Sequence, residues 1–155
     1  SNGADGPTQI ETAKNKNIFY TVDFDKDADE YAYWTCISLP YDYKTGTKLK
    51  VRVSWTAIAG TTGGVCWVVG ANCFDDGESL DAAKADEVTM SDNFSTLNYV
   101  HSTAYYNLTV TGTPTAGDIL MIYIYRDVSA ETDTFDADAN LLNVELAYQA
   151  EFIGI

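Results

Sequence analysis

The residues able to do chemistry in this chain are few outside its carboxylates. A Ser–His–acid arrangement would have to use His101, the single histidine among 155 residues. No serine sits in a G-x-S-x-G turn. Gly77-Glu78-Ser79-Leu80-Asp81 comes nearest and lacks the second glycine. His101 therefore reads as a strand residue half in solvent. Cys36, Cys66 and Cys73 are odd in number, so at least one thiol is left over. On one straight strand Cys66 and Cys73 would stand roughly 23 Å apart on opposite faces, out of disulfide reach without a sharp bend at Gly70. The expectation is three reduced, mostly buried cysteines behaving as small hydrophobes. A C-x6-C spacing with one histidine is poor zinc chemistry.

The carboxylates number 23 against nine cations, for a net charge of -14. Asp23, Asp25, Asp27, Asp29 and Glu30 invite comparison with a calcium loop, but counting from Asp23 the glycine place holds Ala28 and the terminal glutamate place holds Trp34. A solvated turn is the simpler reading. Asp133, Asp136 and Asp138 form a second group that either gathers a calcium ion with backbone carbonyls or answers the cation of Arg126. Glycoside hydrolysis needs only two carboxylates at a suitable separation, which so acidic a chain satisfies by number alone, and no pair is singled out. No catalytic residue and no cofactor are assigned. The charge balance argues against nucleic acid and anionic membrane as partners. The longest apolar run, Ile119 to Tyr125, is far short of the roughly 18 residues of a spanning helix.

The elements that must position these groups read as strands. In Lys48–Trp55, Leu49, Val51, Val53 and Trp55 alternate with Lys48, Lys50, Arg52 and Ser54, the period of a strand with one wet face. Further strands are expected at Asn17–Phe24, Tyr31–Leu39, Val65–Phe74, Leu97–Val110 (or two strands split by a bend), Ile119–Asp127 and Leu142–Phe152. The glycines of Ala59–Gly64 supply turn conformations, since no helix or lysine follows to make a phosphate cradle. Ser79–Glu87 is the one place where a short helix is expected. Residues 1–14 read as a flexible lead-in beginning with a processing scar, and 15–155 as one domain. The whole is an all-β antiparallel sandwich, jelly-roll-like, with seven or eight strands.

The Ile119–Asp127 strand is apolar on both faces through Tyr125, so both must be covered. Leu120, Ile122 and Ile124 are assigned to an oligomer contact. Arg126 and Asp127 stand where the strand leaves the core, and with Asp133 they form an expected structural clip. Tyr31, Tyr33 and Tyr105 are candidates for stacking on sugar rings, although strands use most aromatics for packing.

A set of motifs spread from Tyr31 to Tyr148 carries a resemblance. It comprises Trp34 with Leu39-Pro40, Gly46-Thr47 leading into Leu49–Trp55, Thr62-Gly63-Gly64-Val65-Cys66-Trp67, and Gly77 with Leu80-Asp81. It continues with Ala116-Gly117-Asp118 running to Arg126-Asp127, and Asp133-Thr134 followed by Asp138-Ala139, Leu141-Leu142, Val144, Leu146 and Tyr148. Together these resemble a compact β-domain of tailed-bacteriophage structural proteins. The resemblance implies a jelly-roll module of the capsid-decoration, head-fibre or fibre-tip kind, on the virion surface, often trimeric, and non-enzymatic. Its partners would be further copies of itself and other virion proteins. The rival reading is a carbohydrate- or receptor-binding sandwich that meets a host-surface glycan.

Overall fold

The computed structural model describes residues 8–11, 20–83 and 86–152, with the side chains of all but 8–11, 35 and 36. The strands are β1 (Thr8–Glu11), β2 (Tyr20–Phe24), β3 (Tyr31–Ser38), β4 (Leu49–Thr56), β5 (Gly64–Phe74) and β6 (Glu87–Asn93), then β7 (His101–Ser102), β8 (Tyr106–Leu108), β9 (Val110–Thr111), β10 (Ile119–Arg126) and β11 (Ala139–Ala147). One sheet has the order β1-β2-β11-β4, with β7 and β8 both pairing the far side of β4. The other has the order β3-β10-β5-β6, with β9 against β5. Taking β7 and β8 as one broken strand, the chain shuttles between the sheets in jelly-roll order around one core. Seven or eight strands were expected; with β7 and β8 taken as one, the sandwich has eight, of which β6 was not foreseen, and β1 and β9 are added.

Several expectations change. Thr8–Glu11, placed in a flexible lead-in, pairs with β2 from Thr8 opposite Asp23 to Glu11 opposite Tyr20. The strand expected from Asn17 is described from Tyr20 onward. No helix occurs among the described residues, and Glu87 opens β6, whose short inward set of Val88 and Met90 was too brief to stand out. The long strand expected over Leu97–Val110 is three short pieces.

Alternation decides burial as expected in β4, where Leu49, Val51, Val53 and Trp55 are at most 2% exposed. β5 is buried along its whole length because it lies inside its sheet, flanked by β10 and β6. It carries Cys66 and Cys73 as free buried thiols on opposite faces. In β10 the structure reverses the expected use of the two faces. Leu120, Ile122 and Ile124, assigned to an oligomer contact, pack in the core at no more than 2% exposure, and cannot meet another chain. Ile119, Met121, Tyr123 and Tyr125 form the outer face.

Two register shifts occur on one side of the sandwich. Thr35 and Cys36 together oppose Met121, and Leu142 is an extra residue against β4. The second shift makes Leu141, Val144 and Leu146 the inward set, instead of Leu142, Val144 and Leu146. Between the shifts lies an apolar cavity of about 340 Å³, lined mainly by Trp34, Ile37, Ile122, Leu142, Val144 and Leu146.

The far end is closed by a strap, Asp127–Asp138. Its Thr134 and Phe135 amides both donate to the Gly64 carbonyl, at 2.8 and 2.9 Å. Gly63 lets the strap approach: its φ is +115°, and a Cβ there would lie 2.2 Å from the Thr134 carbonyl oxygen. Beneath the strap, Arg126 is fully buried. Its Nε and Nη2 donate to the two oxygens of Asp133 at 2.9 and 2.8 Å, and its remaining donors reach the Ala137 and Phe135 carbonyls at 2.8 and 3.0 Å. Asp133 also accepts the Cys66 amide at 2.9 Å. The clip therefore consists of Arg126 and Asp133. Asp127 is not part of it, since its carboxylate accepts from Ser129 in a local turn. Removing one member strands a buried charge, so Asp133→Ala is expected to destabilise the protein by about 3–5 kcal/mol, measured by urea denaturation. A loss below about 1 kcal/mol, the level of a surface pair, would contradict the assignment.

Candidate functional site

The outer face of the β3-β10-β5-β6 sheet gathers four tyrosines around one glycine. Across the strands, Tyr33 stands beside Tyr123, Tyr123 beside Gly70, and Gly70 beside Glu87. Gly70 has no side chain, so the Tyr123 ring lies over it. A Cβ at Gly70 would fall 2.3 Å from Tyr123 Cζ. The ring thereby reaches across β5, and its hydroxyl donates to Glu87 Oε1 at 2.9 Å. In the next row the Tyr125 hydroxyl donates to Glu87 Oε2 at 3.1 Å. Burial, reinforced by the Glu87 carboxylate, pushes both phenols well above the ordinary tyrosine range.

Tyr31 and Tyr33 stand on this base. Tyr31 lies 4.5 Å from Tyr125, Tyr33 lies 5.9 Å from Tyr123, and the two are stacked on each other at 6.2 Å. Tyr33 is 58% exposed whereas Tyr123 is 1% exposed. The arrangement is two outward rings on two fixed ones, on the open face of a sheet.

Tyr105, the third sugar-stacking candidate, is not part of this group. It lies by the other sheet, where its hydroxyl donates to Glu145 and its ring sits under Arg52 at 4.7 Å. Arg52 Nη2 also donates to Glu145 at 2.5 Å. The Tyr105 hydroxyl and then Arg52 hold the Glu145 carboxyl below its usual range. The wet face of β4 thus answers its own acid partner across the strand pair. His101 is buried at 6% rather than half in solvent, 4.7 Å from the Trp55 ring, with Nε2 3.1 Å from the Thr96 carbonyl oxygen.

The three aspartates considered for calcium do not converge. Asp133 holds Arg126. Asp136 accepts from the Thr61 hydroxyl and the Thr61 and Thr62 amides, and these bonds, the hydroxyl first, hold its carboxyl down at about 2. Asp138 accepts the Lys26 amide at 3.0 Å. No group of three His, Cys, Asp or Glu side chains gathers in metal-binding geometry among the described residues. Asp138 instead lies near Asp23. Burial first, then the charges of Asp138, Glu30 and Asp25, raise the Asp23 carboxyl to about 6.

Comparison with protein-family models, curated proteins and solved structures finds no match to this chain.

Sequence reading missed Gly70 and Glu87. A glycine inside a run of β-branched and aromatic residues signals close approach by another group, while Glu87 had been placed at the end of a helix. Gly70→Ala is expected to unseat the Tyr123 ring at a cost of about 1–3 kcal/mol, read from denaturant midpoints; an unchanged midpoint would show that the ring does not need the gap. Asp23 gives a pH prediction. A carboxyl raised from 3.8 to about 6 binds its proton more tightly folded than unfolded, so folding loses stability as pH rises through that window. In metal-free buffer Asp23→Asn should raise stability at pH 7 by about 1 kcal/mol after allowance for solvent screening. The gain should vanish near the ordinary aspartate range; a thermal melt at each pH checks it.

Proposed function

We propose that this chain is a non-enzymatic attachment module of a virion, a capsid-decoration or head-fibre and fibre-tip type of domain, working through protein–protein contact at the tyrosine face. The observation that carries this reading is the pair Tyr31 and Tyr33, held outward on the Tyr123–Gly70–Glu87 base on an open sheet face. Tyrosine presents a large area with little side-chain entropy to lose and keeps a polar tip, the composition favoured at contact surfaces. The fold by itself does not choose a function. The jelly-roll order agrees with the resemblance to bacteriophage structural domains, and the proposed contact is between copies in a trimer. With Leu120, Ile122 and Ile124 in the core, the outer residues of β3 and β10 take the role first given to them.

A second reading is carbohydrate binding at the same place. Its support is the exposed Tyr33 ring beside the Tyr31 ring. A sugar site is usually a groove with convergent polar groups, whereas here both Glu87 oxygens already accept from tyrosines, so the protein-contact reading is preferred.

Light scattering on the purified chain should give a trimer mass, and Tyr33→Asp should reduce it to the monomer mass while the variant still unfolds cooperatively, because Tyr33 is 58% exposed in the single chain. A monomer at high concentration that binds a glycan array, with the signal lost in the Tyr33 variant, would replace the first reading with the second.

A further inference from the structure

A small depression in the other sheet holds three aspartates together with a buried amide. It is lined by Asp23, Lys26, Ile58, Ala59, Asp136, Ala137, Asp138 and Asn140. Asp23, Asn140 and Thr56 are in register across β2, β11 and β4, so they share a row on the outer face of that sheet. Asn140 is nevertheless fully buried, because the 57–60 and 136–138 segments cover it.

The hydrogen bonds leave a specific imbalance here. Asn140 Nδ2 donates to Asp23 Oδ1 at 2.7 Å, which fixes the amide so that its carbonyl is the other end. That carbonyl oxygen, Oδ1, is buried and has no protein hydrogen-bond partner. A buried acceptor without a donor is costly. The cation lining the depression does not relieve it: the Lys26 ammonium donates to both oxygens of Asp27, at 2.7 and 2.6 Å. Arg126 is likewise committed to Asp133 and two carbonyls. Of the three aspartates, Asp136 is occupied by Thr61 and Thr62, which leaves Asp23 and Asp138 lining the depression together with Asn140.

We propose that Asp23, Asp138 and Asn140 form a calcium site, with two carboxylates and one amide oxygen supplied by the protein. All three are hard oxygen donors, which calcium takes in flexible geometry with carbonyls and waters completing the shell. Magnesium demands near-ideal octahedral geometry and dehydrates reluctantly, so it suits a site with a fixed amide less well. Two carboxylates are few, and the affinity belongs to the weak class of extracellular modules, with Kd on the order of 10⁻⁴–10⁻³ M. Bound calcium would oppose the repulsion between Asp23 and Asp138 and tie β2 to the strap, 115 residues apart in sequence by the difference of their numbers.

The test is calorimetric titration of CaCl₂ into the chelator-treated full chain, with thermal melts alongside. Saturable binding in that range is expected, with a Tm that climbs up to about 10 mM calcium as ligand linkage requires. Asp138→Asn, which keeps an oxygen for the Lys26 amide, should weaken binding at least about tenfold by removing one charged ligand. Asp76→Asn, in a separate exposed turn, should leave it unchanged. No saturable heat and no rise in Tm for the unmodified chain would overturn the proposal, as would equal loss in the Asp76 variant, which would mark diffuse binding to an acidic surface.

Discussion

The structure depends on one buried charge. Arg126 ends β10 with its guanidinium out of reach of water, a position that is untenable unless its donors are answered. Asp133 answers with both oxygens and the strap answers with two carbonyls. To deliver them, the strap must fold back against β5, and Gly63 must lack a side chain for it to do so. The same fold-back seats Phe135 5.5 Å from Trp55 and 5.0 Å from Phe94, joining the ends of both sheets. A loop of polar and acidic residues is thereby part of the core.

This constraint separates the acids into classes. Asp133 is structural, Asp136 holds the strap to Thr61 and Thr62, and Glu145 pairs with Arg52 and Tyr105. Each has partners that account for it. Asp23 and Asp138 each accept from a neutral donor, Asn140 and the Lys26 backbone amide, while their charges repel, and the buried Asn140 carbonyl oxygen lacks a donor. The acidity of the chain is therefore mostly spread over satisfied surface, with one concentrated point.

The alternation of Lys48–Trp55 was legible because one period covers the whole strand and both faces have clear chemistry. The two apolar faces of Ile119–Arg126 were legible too, but not which of them turned inward. That depends on pairing to β5, where Gly70 receives Tyr123. The stretch after Leu97 breaks because its pieces pair with β4 and then, at β9, with β5, and the extra residue at Leu142 comes from a register shift; no local periodicity encodes either. Arg126 with Asp133 was readable since seven residues separate them and a strand end needs a partner there. Asn140 with Asp23 was not, because they are 117 positions apart and only sheet topology makes them neighbours.

Hydrogen–deuterium exchange of the intact protein addresses the role of the strap most directly. If Arg126 and Asp133 make the strap part of the cooperative core, the amides of Cys66, Thr134 and Phe135 should exchange only with global unfolding, at the rate of interior β5 and β10 amides. Exchange of those three within the time taken by exposed turns, while β5 stays protected, would contradict it.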